Sequence, residues 1–274
     1  CIRDRHLRFS YPTTGDAYLV LDGYTDMSEI KIDPAKRQIS GWVNNQRFVN
    51  DSKSFRNYFV VQFDKPFEDY GVWENQKDEV FPQKLDGAGK GYGAFIKFKK
   101  GSKVQAKAAS SYISAEQALI TLNKELGKDK NLEVTKARGQ KTWNEVLNRI
   151  VVEGCTDEQM KTFYSCLFRA NLFSRKFYER KENGEPYYYS PYNGKIYDGY
   201  MYTDNGFWDT FRSQFPLTNI LHPTMQGRYM NALLAAQEQC GWLPSWSSPG
   251  ETGGMLGNHS ISCLLYTSDA ADEK

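Results

Sequence analysis

The sequence predicts a protein of two parts, an antiparallel β domain followed by an α-helical domain. Residues 1 to about 112 contain short runs rich in β-branched and aromatic residues, separated by turn residues. From residue 114 onward, apolar residues recur at helical spacing behind capping motifs. Because the two patterns do not mix, we place the boundary between the domains near residue 113.

Six segments of the first part have strand character, and their close spacing indicates an antiparallel sandwich or barrel. They are residues 7–11, 17–21, 39–43, 58–63, 93–98 and 104–108. No helix-period segment interrupts them. The stretch 74–90 is rich in charge and glycine, so it is predicted to be a surface loop.

Three helices are predicted to follow. A capping box at Ser114 to Gln117 starts the first, which ends at Gly127. The second covers about 134–149, and the third starts at the box formed by Thr156 to Gln159. Cys166 lies among apolar residues of this third helix and is predicted to be a small core residue.

A tyrosine-rich insertion at 173–203 carries two turn signals, Asn183-Gly184 and Asn193-Gly194, and each predicts a hairpin. Helices then resume at about 208–220 and 224–240, the latter with Gly241 as its C-cap. The residues of this last helix that are predicted to face inward are Tyr229, Met230, Leu233, Leu234 and Ala236.

Composition excludes several classes of function. The 274 residues are 40% apolar, which suffices for a core, and the formal net charge is +2 without a basic stripe, so no nucleic acid is expected as a partner. No apolar run approaches the roughly 18 residues of a membrane span. The five cysteines show no metal-ligand spacing. An uncharged partner fits these properties best.

The most informative residues lie at 207–212 (FWDTFR), 242–246 (WLPSW) and 250–259 (GETGGMLGNH). They combine aromatic rings with carboxylates, an arginine and a histidine in short runs punctuated by glycine and proline. A pyranose needs a flat partner for its apolar face and paired donors and acceptors for its hydroxyls, so the mixture suggests sugar binding. The alternative is a helix whose apolar stripe is Trp208 and Phe211, with Asp209 and Arg212 in solvent.

Several motifs together resemble glycoside hydrolase family 92, the calcium-dependent, inverting exo-α-mannosidases. They occur in the order of the family between about residue 5 and residue 263. They are RFSYP at 8–12, YFVVQFDKPF at 58–67, YISAEQA at 112–118, WNEVL at 143–147, WDTFR at 208–212, LPSW at 243–246 and GET at 250–252. The resemblance implies an N-terminal β-sandwich followed by an incomplete (α/α)6 barrel.

The resemblance also implies a sugar-binding function for the FWDTFR segment. It places Trp208 against the terminal mannose and Asp209 at the distal hydroxyls, with a purely structural carboxylate as the alternative for Asp209. Arg212 either holds Asp209 or binds the sugar directly. A carboxylate at the distal hydroxyls would reject a longer chain, because a substituted oxygen leaves the buried acceptor unpaired. Glu251 is expected to line or support the pocket, with loop anchoring as the alternative, and His259 to line the pocket, with a structural histidine as the alternative. Trp246 either packs in the barrel or contacts the sugar.

No catalytic residue and no metal ligand is assigned in this chain. Chemistry alone would favour Glu251 as an acid, but the family's acid lies in a Glu-Gly-Asn-Ala-Trp-Gln-Tyr segment and its base in a Gly-Asn-Glu-Asp-like stretch. Neither string occurs here. The ligands of the family's Ca²⁺ are likewise expected mainly outside this chain, which as a fragment is expected to lack turnover and to expose apolar surface.

The resemblance refines the predicted domains. They are a sandwich lacking its start at 1–113, a helical linker at 114–150, the first part of the barrel at 151–265, and a non-native tail at 266–274. The expected substrates are terminal α-mannosides of N-glycans or mannans, and the family implies a secreted, periplasmic or surface-attached protein. Two alternatives are a non-catalytic module whose sandwich binds carbohydrate and a different glycan-cleaving enzyme of similar architecture, phosphorylase-like or amidase-like.

Overall fold

The computed structural model describes residues 4–23, 26–44, 55–255 and 257–264. The described residues form two compact units that divide between Ala137 and Arg138. The first is an antiparallel β structure with one helix, and the second is mainly helical. The predicted order of an antiparallel β domain and a helical domain is therefore confirmed. The predicted tail at 266–274 lies outside the described residues.

The first unit is a sandwich of two antiparallel sheets. One sheet has the strand order β1-β10-β5-β4-β3-β8 and the other the order β2-β9-β6-β7. The strands are β1 Asp4–Ser10, β2 Ala17–Leu21, β3 Met27–Asp33, β4 Gln38–Asn44, β5 Arg56–Phe63, β6 Asp69–Glu74, β7 Glu79–Pro82, β8 Asp86–Lys90, β9 Tyr92–Phe98 and β10 Lys103–Ser111.

Alternate residues of these strands fill the space between the sheets. On β9, Ala94, Ile96 and Phe98 are fully buried, and on β3, Ile30 and Ile32 are buried. These five side chains belong to one apolar cluster to which both sheets contribute. Burial of a large aliphatic side chain stabilises a fold by about 1.5–3 kcal/mol, so the period-2 pattern that predicted strands also determines which face forms the core.

The prediction of a loop at 74–90 is wrong. Strands β7 and β8 lie there, joined to β6 by a 3-10 turn at Asn75–Lys77. Both are edge strands, and edge strands commonly carry charge because it prevents pairing with other chains. A Cβ on Gly87 of β8 would lie 2.3 Å from the Tyr92 ring, so glycine is required there by close packing. Charge and glycine, which suggested a loop, here mark sheet edges.

Helix α1 (Ala115–Leu126) begins where the sequence predicts. The side chain of Ser114 accepts a hydrogen bond from the backbone N–H of Gln117, 3.1 Å away, and satisfies a donor of the first turn. Ala118 and Leu122 pack against Val60 of the six-stranded sheet. This packing places α1 in the first compact unit, while the domain boundary near residue 113 stays a prediction.

Helix α2 (Leu132–Leu147) has no fully buried side chain, whereas α3 (Asp157–Ala170) buries Leu167. The capping box at Thr156 is confirmed, since its side chain and that of Gln159 each bond the other residue's backbone N–H. Cys166 is exposed, so its assignment to the core is wrong. Cys166 lines an open apolar hollow with Phe163, Leu167 and Leu217, so its neighbours are apolar but do not cover it in the described part of the chain.

The rest of the second unit consists of short strands and three helices. Both predicted hairpins are confirmed, because Asn183-Gly184 joins β12 to β13 and Asn193-Gly194 joins β13 to β14. The elements are β11 Arg175–Lys176, β12 Glu179–Arg180, β13 Pro186–Tyr189, β14 Ile196–Asp198, β15 Tyr202–Thr203, β16 Asn205–Gly206, α4 Phe207–Thr210, α5 Gln214–Leu221, α6 Pro223–Cys240 and β17 Trp246–Ser247.

The predicted helix at 208–220 is two helices. Pro216 has no N–H to donate to the carbonyl four residues earlier, so it is accommodated only in the first turn of a new helix, α5. Helix α6 matches its prediction more closely, and Gly241 adopts the left-handed conformation of a C-cap at φ 89°. Of its predicted inward residues, Leu234 is the exception, because it is exposed. No described helix is long and apolar enough to cross a membrane.

Candidate functional site

The short helix α4 presents its aromatic and acidic residues outward. Phe207 and Thr210 are buried, whereas Trp208 is 54% exposed and Asp209 is also exposed. Residues three apart share a helix face, so the buried pair is 207 and 210. The alternative is therefore wrong in placing Trp208 in a core stripe, whereas Asp209 and Arg212 are exposed as it expected.

Strand pairing brings the second aromatic segment to the start of α4. β16 and β17 are antiparallel, with Gly206 opposite Trp246. A Cβ on Gly206 would lie 2.8 Å from Oδ2 of Asp209 and 3.3 Å from Cη2 of Trp246. Gly206 thus allows the Asp209 carboxylate and the Trp246 indole to approach the same point of the backbone. The sequence did not single out Gly206, since this contact joins segments about 40 residues apart.

The Glu251 carboxylate closes the loop that follows β17. Its Oε2 accepts a hydrogen bond from the backbone N–H of Ser245 at 2.7 Å. Its Oε1 accepts bonds from the Ser245 hydroxyl and from the N–H of Gly253, both at 2.8 Å. Since both oxygens bond to the chain, the geometry gives Glu251 a loop-anchoring function. A sugar contact for Glu251 stays a prediction.

His259 joins the site through Phe211. The two rings stack with centroids 5.7 Å apart and planes inclined by 19°. His259 is half-buried and begins a helical stretch at 259–264. Gly257, at φ 85°, approaches it so closely that a Cβ would lie 3.2 Å from Nε2. The structure therefore places His259 beside the residues that follow α4, as a pocket function would require.

Arg212 is exposed, and its guanidinium carbon lies 4.9 Å from the centre of the Phe211 ring. No ion pair joins Arg212 to Asp209 in the described part of the chain, so the expected pairing of the two is absent here. The cation–π contact is worth about 0.5–1 kcal/mol at an exposed site. Arg212 and His259 thus both contact Phe211, the residue that follows α4, and a sugar contact for Arg212 stays a prediction.

A partly buried ion pair that the sequence did not reveal supports the segment. Asp204 precedes β16 at φ 62°, and Arg175 on β11 contacts it twice, Nε to Oδ2 at 2.7 Å and Nη2 to Oδ1 at 3.2 Å. Burial raises the pKa of Asp204, although Arg175 opposes the shift. The hydrogen bond from Nη2 and the close ion-pair contact of Nε together orient the chain that leads into α4. The positive φ was the signal available, because Asp and Asn tolerate it.

Aromatic rings in edge-on and tilted contact form the interior beneath α4. Phe207 contacts Phe215 at 6.4 Å between centroids, Phe215 contacts Tyr229 at 6.2 Å, and Tyr229 contacts Tyr202 at 4.6 Å. Burial raises the pKa of Tyr229 to about 12, so its hydroxyl remains neutral. These rings fix the buried face of α4, and the outward direction of Trp208 and Asp209 follows from that.

The carboxylates of the site do not form a calcium site. Among the described residues, no group of three or more histidine, cysteine or acidic side chains could hold a metal ion. Calcium takes six to eight oxygen ligands, and Glu251 has both oxygens bonded to its own loop. The described residues of this site therefore do not fit the ion.

Comparisons with known proteins agree with the resemblance. The model of the glycosyl hydrolase family 92 N-terminal domain matches residues 4–111, and that of the family's catalytic domain matches residues 117–269. A search of curated proteins gave no match.

Solved structures give the same result. The inverting mannosidase BT2199 of Bacteroides thetaiotaomicron is 41% identical, with a TM-score of 0.92 over 97% of this chain and 36% of its own. The α-mannosidase BT3965 of the same organism, in complex with mannoimidazole, is 23% identical, with a TM-score of 0.83 over 96% of this chain and 36% of its own; at that identity it shows the shared fold alone. This chain spans about a third of the length of these enzymes.

Proposed function

Because the chain belongs to glycosyl hydrolase family 92, we propose that it is the sugar-holding part of a longer, exo-acting, inverting α-mannosidase. The observation that carries the proposal is the outward pair Trp208 and Asp209 on a helix whose other face is fixed in an aromatic interior. The inverting outcome is carried over from BT2199, which is 41% identical. The proposed substrates are terminal α-mannosides of N-glycans or mannans.

The free acceptors of Asp209 support this function. In the described part of the chain, Asp209 has no hydrogen-bond or ion-pair partner, so its oxygens can accept hydrogen bonds from the hydroxyls of a sugar. Trp208 offers an exposed indole face for the apolar side of a pyranose. We propose that Asp209 accepts hydrogen bonds from the distal hydroxyls of the sugar. A further sugar attached to either hydroxyl oxygen would remove the O–H donor and leave the carboxylate without that bond.

In this proposal, this chain binds the sugar and other segments of the enzyme cleave the bond. Inversion requires an acid and a base about 6.5–9.5 Å apart, with water between the base and the sugar. Asp209 and Glu251 are here assigned to holding the sugar and the loop, so the acid and base belong to segments outside residues 1–274, as do the ligands of any calcium ion. In this scheme Arg212, Glu251 and His259 support the pocket, and the isolated chain does not turn over substrate.

Ligand binding by the chain tests the holding function directly. Isothermal titration with methyl α-mannoside should detect binding that Trp208→Ala and Asp209→Asn each weaken by about tenfold or more. Trp242→Ala is the matched control, since Trp242 is 59% exposed in the same unit and is expected to leave affinity unchanged. If Trp208→Ala and Asp209→Asn bound methyl α-mannoside as tightly as the unmodified chain and Trp242→Ala, the assignment of Trp208 and Asp209 would be contradicted.

Turnover tests the rest of the proposal. Purified residues 1–274 should release no mannose from an α-linked disaccharide with calcium present, whereas the longer parent enzyme should release it with inversion at C1. Mannose release by the isolated chain would overturn the assignment of acid and base to other segments. A requirement for phosphate in the parent enzyme would instead identify a phosphorylase-like relative.

A further inference from the structure

The outer face of the four-stranded sheet carries a groove far from α4 in sequence. Its volume is about 550 Å³, in the range of ligand sites. Aromatic and apolar side chains form its floor, three acidic residues line it, and Lys97 lies beside Tyr18. The lining residues are Tyr18, Val20, Asp69, Trp73, Asp78, Glu79, Val80, Pro82 and Phe95.

Two glycines allow the rings of the floor to lie across the sheet. Trp73 on β6 pairs with Gly93 on β9, and Phe95 on β9 pairs with Gly71 on β6. A Cβ on Gly93 would lie 2.4 Å from Nε1 of Trp73, and one on Gly71 would lie 2.6 Å from the Phe95 ring. Each ring therefore covers the glycine opposite it and remains half-exposed on the groove side. Packing of this kind stabilises the sheet, and it also makes a flat aromatic surface.

A third ring extends this surface toward the sheet edge. Tyr18 on β2 meets Phe95 edge-on, with centroids 6.2 Å apart, and is 45% exposed. Val20 and Val80, on the two outer strands of the sheet, are also exposed. Because the Tyr18 and Phe95 ring planes are inclined by 65°, the floor is an angled aromatic surface with shallow apolar sides, which suits a ring-shaped ligand laid along the strands.

The acidic residues decide the class of ligand. Asp69 accepts bonds from the N–H of Tyr70 at 2.8 Å and from Nε2 of Gln83, while Asp78 and Glu79 are exposed. Lys97 on β9 lies opposite both Tyr18 and Asp69, with its Nζ 5.2 Å from the centre of the Tyr18 ring, and its charge is paired with Asp16 at 3.0 Å. Carboxylates accept hydrogen bonds from the hydroxyls of a polyol and repel phosphates and other anions. A second copy related by a twofold axis would oppose these carboxylates to themselves, which is unfavourable.

We propose that this groove is a second carbohydrate-binding site, which takes a short neutral oligosaccharide with its apolar sugar faces on Trp73, Phe95 and Tyr18 and its hydroxyls on the acidic residues. The site requires nothing from α4 or from catalysis. It rests on the proposed function only for the choice of an α-mannosyl chain as the probe, and it would hold the enzyme on a polymeric substrate.

Fluorine NMR of the whole chain labelled with 5-fluorotryptophan tests this site separately from the first. The chain has six tryptophans, and Trp73→Phe identifies the resonance of Trp73. Titration with α-mannotriose should shift that resonance saturably. Val80→Glu and Tyr18→Ala change exposed side chains and keep the sheet packing, and each should weaken this binding about tenfold. Trp208→Ala and Trp242→Ala should leave it unchanged.

Each other outcome would overturn the proposal. A Trp73 resonance that stays constant through millimolar sugar would exclude the groove as a binding site, and a shift of the Trp208 resonance in the same titration would show that the proposed function stands without it. A Trp73 shift that depends on protein concentration would assign the groove to self-association. A shift with trilysine and none with sugar would assign it to a basic partner.

Discussion

Substitution of Gly206 by alanine is expected to separate sugar binding from stability. The backbone at Gly206 has φ −93° and ψ 95°, which any residue adopts, so alanine brings no backbone strain. Its methyl group would lie 2.8 Å from Oδ2 of Asp209, while ordinary contacts begin at 3.4 Å. The carboxylate must therefore move by about 0.6 Å or rotate away, and it is free to do so because Asp209 is exposed.

The size of the effect follows from the bond that is lost. A hydrogen bond to a charged group is worth about 1.5–3 kcal/mol, so a displaced Asp209 should weaken binding of methyl α-mannoside by about 10- to 100-fold. Unfolding free energy should change by less than about 1 kcal/mol, since alanine also restricts the unfolded chain. Isothermal titration gives the affinity, and urea unfolding followed by circular dichroism gives the stability.

Gly227→Ala provides the matched control. Gly227 lies in α6, and nothing stands within 4 Å of the position of its Cβ. Alanine there should raise stability by up to about 1 kcal/mol, because glycine is unfavourable inside a helix, and it should leave sugar affinity unchanged. If Gly206→Ala binds the sugar within twofold of the unmodified chain, the position of Asp209 does not govern recognition and the reasoning fails.

Three further predictions concern stability. Glu251→Gln should lower the unfolding free energy by about 1–3 kcal/mol, because an amide nitrogen cannot accept the hydrogen bonds that one carboxylate oxygen now accepts. Faster proteolysis at 245–253 would show the loosened loop. An unchanged rate of cleavage would argue against loop anchoring. Burial lowers the pKa of His6 and His222 below the ordinary 6.5, and the charges of Lys107 and Arg149, respectively, add to the shift. As the pH falls, the histidines of the unfolded chain therefore take up protons before those of the folded chain. Their contribution to stability should be complete above about pH 6.5 and decrease as the pH drops below it. His6→Gln with His222→Gln should flatten that fall in urea titrations, and an unaltered slope would contradict the assignment. Ser114→Ala should cost about 1 kcal/mol by removing the cap of α1, measured by thermal unfolding; no change would mean that water caps the helix equally well.

Local signals predicted the fold where local interactions determine it. The cap at Thr156, the hairpin turns and the C-cap at Gly241 each depend on a few adjacent residues, and each is confirmed. Strands β7 and β8 were missed because an edge strand tolerates charge and glycine, which resemble loop composition. Their identity depends on partners distant in sequence, such as β3 for β8.

Some residues of the candidate site could likewise be predicted from the sequence, and others could not. Trp208 and Asp209 stand out in the sequence as an aromatic and acidic pair, and the structure places both outward. Gly206 against Trp246 and Arg175 against Asp204 are contacts across about 30 to 40 residues. Such contacts arise from strand pairing and burial, which a single sequence does not specify residue by residue, so the supporting residues emerged only from the structure.

The hydrogen bonds of Glu251 have a thermodynamic meaning for the loop that carries Trp246. Ordering a backbone residue costs about 1–2 kcal/mol of conformational entropy. Since Ser245 and Gly253 are already tied to one carboxylate, that entropy is lost when the chain folds and not when a ligand arrives. A sugar that meets this loop therefore encounters a preorganised surface, and more of its contact energy appears as affinity.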